Sequence, residues 1–376
     1  MKIPLLIFVL SVSVFLLSGC WDQEQLKEAR LAIGIGLDET ENGELRQTTD
    51  IHVPKQDAAG TGRPAFTSVI MKSSGNTFRQ ARMNLEKEVA GNYAPNKILA
   101  YVIGEDLAKK DIYPIFDVLY RYPRNSLGAK IAITKGRAED IISLKLVEEK
   151  MVSDALLKII ESAEDDTFIP KVNIQSICPI IFNEGQDFAL PMIEKSDNDQ
   201  IKISGMALFH GKKYSGVSLT GEDATLLLLL NNEQSNLTRF TLKVNPKEKR
   251  KRNQFVNIHA FLKKHDLKIK VGSGDHIKAE IKIKLNLHII EYPLDNLESK
   301  REINKLTKRI NEELAKMSDR VISELQKANS DYFGIGKRIK AYHPKEWKLM
   351  NWEKVYPTIE INTKIETEIV ETGIIK

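Results

Sequence analysis

The sequence predicts a multi-domain α+β fold, with mixed and antiparallel sheets, packed helices and a long helix near the C-terminus lying on a sheet. Three observations predict it. Short strand and helix patterns alternate up to about residue 192, long strands with one apolar face follow from Ile201, and a single apolar stripe runs along residues 303–325.

The chain opens with Lys2 and an uncharged run from Leu5 to Leu17, followed by Leu17-Ser18-Gly19-Cys20 and a polar stretch from Asp22. That run reaches only about 20 Å as a helix, short of the roughly 30 Å hydrocarbon core of a bilayer. It reads as a secretory signal whose cleavage region resembles the bacterial lipobox. Residues 1–19 are therefore expected to be a signal peptide, and the mature chain to begin at a diacylated Cys20. An uncleaved signal anchor is the alternative. Two acyl chains suffice for stable anchoring where one is marginal. The only other cysteine is Cys178. With Cys20 lipidated, no intramolecular disulfide can form, so a hydrophobic core must hold the fold. The net charge of +5 suits an anionic membrane surface and is too small to argue for nucleic acid.

After a tether from Trp21 to Arg30, strands are expected at Leu31–Leu37 and Arg46–Val53, with a loop over Gln56–Ser68 that is rich in Gly, Ala, Thr and Pro. Asn76 is expected to cap a helix carrying Phe78, Ala81, Leu85 and Val89 on one face, stopped at Gly91-Asn92. A buried-type strand at Ile98–Gly104 precedes a helix over Leu107–Tyr122 around Pro114. A strand at Leu127–Thr134 and helices at Ala138–Leu146 and Met151–Ala163 complete a mixed α/β domain, residues 20–192.

Residues 193–376 read as a C-terminal α+β region, divisible into a small middle domain and a C-terminal one. Ile201–His210 and Tyr214–Leu219 form a hairpin across Gly211-Lys212-Lys213, and Asp223–Asn231 reads as a short helix whose Leu226–Leu230 run is far too short to span a membrane. Strands follow at Leu237–Val244 and Phe255–Val271. Ile277–Glu291 places Ile277, Ala279, Ile281, Ile283, Leu285 and Leu287 on one side, the pattern of a strand with one buried face.

A long helix is expected from about Asn296 to Ala328. Its stripe of Ile303, Leu306, Ile310, Leu314, Met317, Val321 and Leu325 repeats near ~3.67 residues per turn, close to the unstrained helix. Such a stripe stays straight, so the helix should lie on a sheet; a partner-docking helix is the alternative. Thr358–Val370 alternates again and should join the sheet that the helix covers.

Chemical motifs are sparse. The seven histidines, at 52, 210, 259, 265, 276, 288 and 343, have no metal-protease spacing. Gly34-Ile35-Gly36 and Gly334-Ile335-Gly336-Lys337 lack the spacings of a phosphate loop or dinucleotide site, so they serve turns or close packing. Ser73-Ser74-Gly75 and Gly216-Val217-Ser218 lack the surroundings of a nucleophile elbow. No catalytic, cofactor or metal residues emerge. Lys247, Lys249, Arg250, Lys251 and Arg252 around Glu248 read first as a solvated hairpin turn and second as a contact for anionic lipid headgroups.

Several segments carry a resemblance in combination. They are Gly19-Cys20-Trp21-Asp22; Gly75-Asn76-Thr77 with Ala81-Arg82; Asn96-Lys97-Ile98 through Gly104-Glu105-Asp106-Leu107-Ala108; Arg121 before Arg124, with the strand Ala129–Thr134; and Ile203-Ser204-Gly205-Met206-Ala207-Leu208-Phe209 before Gly216. The closing set is Asp331-Tyr332-Phe333-Gly334-Ile335-Gly336, then Trp347, Trp352 and a terminal strand ending near Gly373. In this order they resemble the Ger(x)C lipoproteins, the C subunits of GerA-type nutrient germinant receptors of bacterial spores; that family often has histidine where Asn96 stands. The resemblance implies a lipid-anchored subunit on the outer face of the inner spore membrane, partnered by integral-membrane A and B subunits. It also implies a mixed-sheet fold, a part in nutrient-triggered germination, and no enzymatic activity. It carries over no ligand-binding residue. Two rivals are a solute-binding lipoprotein of a transporter, which should show repeated parallel βαβ units in two lobes, and a surface-anchored hydrolase, which needs a nucleophile or metal pattern.

Overall fold

In the computed structural model, which describes residues 29–55, 65–123, 125–146, 151–272, 276–294 and 297–373, the chain builds two sheets. The signal segment, Cys20, the tether up to residue 28 and Arg124 lie outside the described residues.

The first sheet has nine strands: β1 (Ala29–Glu39), β2 (Leu45–Lys55), β3 (Ala65–Gly75), β4 (Asn92–Ala94), β5 (Ala100–Gly104), β6 (Lys130–Thr134), β7 (Ala189–Lys195), β8 (Ile201–His210) and β9 (Lys213–Leu219). Their order is β3-β2-β1-β5-β6-β7-β8-β9, with β4 beside the start of β1. The centre, β1-β5-β6-β7, is parallel and both flanks are antiparallel. Parallel strands need both faces covered. One face carries α1 (Phe78–Glu86), α2 (Glu105–Ala108), α3 (Tyr113–Arg121) and α6 (Ile174–Ile181); the other carries α4 (Ala138–Ile142) and α5 (Val152–Asp165). Gly34 and Gly36 on β1 admit this second layer, because a Cβ at Gly34 would strike the Ser153 side chain and one at Gly36 would sit 3.0 Å from the Ala138 carbonyl oxygen.

The second sheet has the order β10 (Arg239–Lys243), β11 (Phe255–Val271), β12 (Ile277–Glu291) and β13 (Glu360–Glu371). The six apolar residues of β12 named above are all buried, as their alternation predicts. They face α8 (Lys300–Lys327), whose stripe from Leu306 to Leu325 is buried while Ile303 is only partly so. The long helix therefore lies on the sheet, and β13 joins that sheet. β13 runs parallel to β12, because α8 carries the chain back before it re-enters. Three polar contacts tie helix to strand: Ser318–Thr363 hydroxyls at 2.6 Å, Thr367 Oγ1 to Asn311 Oδ1 at 2.8 Å, and Gln326 Nε2 to the Ile359 carbonyl at 2.8 Å.

Between the sheets sits α7 (Gly221–Leu230). Residues Leu226 to Leu230 are all fully buried. An all-round apolar helix is stable only when enclosed, and α7 packs against β8 of one sheet and β10 and β12 of the other.

Several expectations need correction. The first sheet continues past residue 192: β7 spans that position and β8 and β9 extend the sheet to Leu219. The last residues of the expected loop, from Ala65, belong to β3, whose ladder with β2 runs from Lys55↔Ala65 to Leu45↔Gly75. Thr77, and not Asn76, caps α1, its hydroxyl accepting from Gln80 N at 3.1 Å, and the helix ends at Glu86. The single helix around Pro114 is two. Proline lacks the N–H an interior position needs, and Pro114 stands in the first turn of α3. α4 stops at Ile142, and α8 starts after Ser299, whose Oγ accepts from Glu302 N at 3.2 Å. Neither α6 nor β7 was legible in the sequence.

Candidate functional site: the clasp between the two sheets

Two short segments far apart in sequence hold the halves of the molecule together. One is residues 184–188, between α6 and β7; the other is residues 330–337, where α8 gives way to α9 (Ile335–Tyr342). α8 ends at Lys327 with Ala328 as its C-cap, and Ser330 N returns to the Leu325 carbonyl at 2.9 Å. The chain then turns through Gly334 at φ +64°, a left-handed conformation that glycine adopts without Cβ strain.

Asp331 organises this turn from inside. Its side chain is buried and takes Ile335 N at 2.9 Å on Oδ1, and Gly336 N at 2.7 Å and the Trp352 indole Nε1 at 3.2 Å on Oδ2. Burial pushes the Asp331 carboxyl up to about 7, and the N–H donors pull the other way. Asp187 mirrors it. Its Oδ2 takes Asp331 N at 2.8 Å, its Oδ1 takes Gly211 N from the β8–β9 turn at 2.6 Å, and its own backbone N–H donates to the Asp331 carbonyl at 2.9 Å. The Asp331 carboxylate thus pairs backbone donors of its own turn, while the Asp187 carboxylate reaches across to pair Asp331 N, a donor of the other segment.

The contact is close enough to require glycine on both sides. A Cβ at Gly185, at φ +84°, would lie 2.7 Å from the Gly336 carbonyl carbon and 2.7 Å from Lys337 N; one at Gly336 would lie 2.6 Å from Trp352 Nε1. Lys337 N donates to the Gly185 carbonyl at 2.6 Å, and Lys337 Nζ to Gln186 Oε1 at 2.9 Å. Aromatic side chains close the outside: Trp352 stands 5.8 Å from Trp347 and 5.6 Å from Tyr356, whose hydroxyl donates to the Ser330 carbonyl at 2.7 Å. Tyr332 donates to Glu233 Oε2 at 2.6 Å, just past α7. A cleft of about 530 Å³ opens beside the clasp, lined by Gln186, Asp187, Asn231, Glu233 and Tyr332.

His210 Nδ1 lies 3.8 Å from Asp187 Oδ2, and its Nε2 lies 4.0 Å from Glu353. The Asp187 carboxylate holds the imidazole above its usual pKa of 6.5. For a histidine raised in the folded state, the stabilisation is fully present below the unfolded value and is lost as pH rises through the folded one. NMR titration should therefore place His210 above 6.5; a midpoint at or below that value would show that Asp187 does not act on it.

The sequence motif from Asp331 to Gly336, with Trp347 and Trp352, is thus brought together in one place. Its partners Gly185 and Asp187 were missed, and a glycine and an aspartate in a connecting segment give no local signal of a contact 144 residues away. The basic cluster from Lys247 to Arg252 lies on the β10–β11 connection, with all five basic side chains exposed. Cys178 is a free thiol in α6. Among the described residues no group of three or more His, Cys, Asp or Glu side chains is placed to hold a metal, and no helix is long and apolar enough to cross a membrane.

Residues 22–195 match the spore germination protein N-terminal domain, and residues 204–373 match the spore germination B3/GerAC-like C-terminal domain. The chain is 22% identical to spore germination protein GerQC of Bacillus cereus over 98% of each chain. It is also 22% identical to spore germination protein KC of Bacillus subtilis (strain 168), over 98% of this chain and 96% of that one. The crystal structure of the GerBC protein superposes with a TM-score of 0.54 at 16% identity, covering 93% of this chain and all of that one, a likeness of fold.

Proposed function

Because the chain belongs to the Ger(x)C family of spore germination receptor C subunits, we propose that it acts as a lipid-anchored, non-catalytic coupling subunit in nutrient-triggered germination. In this reading Cys20 carries the lipid, the protein sits on the outer face of the inner spore membrane, and its partners are the integral-membrane A and B subunits of the same receptor. The observation that carries the coupling role is the clasp. At the clasp the two family regions meet through the Asp187 carboxylate, which takes Asp331 N and Gly211 N, through the Asp187 N–H given to the Asp331 carbonyl, and through glycine-to-glycine backbone contact. A displacement imposed on one half is thereby handed to the other as a rigid movement, because a packed joint of this kind does not deform continuously. Anchoring adds effective concentration, so a weak interface with membrane partners stays occupied.

Loss of the protein should abolish the response to its nutrient while germination by triggers that bypass receptors persists. Cys20→Ala should leave the chain unacylated and out of the membrane fraction. An unmodified Cys20 thiol in the mature native protein, read by mass spectrometry, would remove the anchor from the proposal. Saturable binding of one amino acid or sugar well below millimolar concentration by the protein alone would favour the solute-binding alternative.

A further inference from the structure

The two large apolar side chains with the greatest exposure among the described residues are close in sequence. Leu349 is 90% exposed and Tyr342 is 79% exposed. Both lie on the helical pair α9 and α10 (Pro344–Leu349), which follows the clasp in the chain. Lys337, Arg338, Lys340, Lys345 and Lys348 surround them, all exposed, with Glu346 the only acidic residue between Ile335 and Leu349. Lys337 and Lys340 are engaged, by Gln186 and by Glu184 at 3.5 Å. Arg338, Lys345 and Lys348 have no ion pair among the described residues.

A single exposed leucine is ordinary. An exposed leucine and tyrosine among five cations is the composition of a surface that inserts apolar tips below anionic headgroups while the charges stay at their level. The other basic cluster lacks the second ingredient, since between Val244 and Phe255 no large apolar side chain is exposed. The pair is also fixed on the body: Ile335 and Ile339 are buried in the core, and Lys340 Nζ lies 5.9 Å from the Trp347 ring.

We propose that the α9–α10 pair is a second membrane contact, in which Tyr342 and Leu349 enter an anionic lipid surface and Arg338, Lys345 and Lys348 meet its headgroups. This rests on the anchored reading above and goes beyond it: a flexible lipid tether alone leaves orientation free, whereas a second contact next to the clasp sets which face meets the bilayer.

The test uses the full-length lipidated protein held in vesicles by its own anchor. Cys178→Ser removes the free thiol, and Leu349→Cys takes an environment-sensitive dye; Glu41→Cys, in the exposed β1–β2 turn, serves as control. Brominated lipid in phosphatidylglycerol vesicles should quench the dye at 349 at least about twofold more than at 41, as a side chain lying in the interface requires. Reversing charge with Lys345→Glu and Lys348→Glu should bring position 349 down to the control, as should salt near 1 M, where the screening length falls to about 3 Å. Equal quenching at the two positions, or indifference to charge reversal, overturns the proposal. Shielding of 349 only when the integral-membrane subunits are present would make the surface a protein interface, and overturns it also. Dye uptake by the Cys178→Ser protein without a new cysteine would instead report an unlipidated Cys20, a failure of the anchor and separate from these outcomes.

Discussion

Gly185→Ala should destabilise the protein by about 2–5 kcal/mol, the sum of two penalties of known size. The left-handed conformation costs a residue with a Cβ roughly 1–2 kcal/mol. The new methyl would also press on the Gly336 and Lys337 backbone at 2.7 Å, and overpacking of that kind costs about 1–3 kcal/mol. Backbone atoms cannot rotate aside, so relief means opening the clasp and leaving the Asp187 and Asp331 hydrogen bonds stretched. Gly43→Ala separates the two contributions, because Gly43 also has positive φ, +78°, but nothing lies within 4 Å of its Cβ position. Urea unfolding of both variants is the measurement. Equal losses at the two positions would show that the close contact with Gly336 contributes nothing.

Leu314→Ala should cost about 2–5 kcal/mol, the range for removing a fully buried leucine from a core that only partly collapses into the cavity. Leu314 is completely buried among the apolar residues of the second sheet and α7. A docking helix would instead leave folding intact and weaken assembly alone. Calorimetry of the variant distinguishes them: a melting temperature equal to the parent's would return the stripe to the surface. Combination with Gly185→Ala should be close to additive if the two sites share no contact.

Periodicity carried most of what was legible. The alternation in β12 and the stripe on α8 each compare a residue only with its near neighbours, and burial of one face follows directly. The same logic explains the errors. Pro114 was placed inside a helix because apolar residues continue on both sides of it, whereas its missing N–H makes it a starting residue. β3 was missed, its first residues being read as loop, because glycine- and proline-rich composition masks an edge strand whose pairing depends on β2. α4 has no capping side chain of its own: Asp38 of β1 takes Ala138 N at 2.8 Å and Glu139 N at 2.9 Å from across the sheet. No window around Ala138 contains that information.

By itself the sequence determined the class of fold, the helix that covers the second sheet, and the family to which the motifs from Gly19 to Gly373 point. All of these are written in local spacing or in the order of short motifs. Tertiary structure alone decided that the first sheet runs on to Leu219, that the Leu226–Leu230 run lies between two sheets, and that Gly185 and Asp187 grip the turn at Asp331. The physical reason is that a buried backbone N–H needs an acceptor and a close approach needs a missing Cβ, and neither requirement specifies where along the chain its partner will be found.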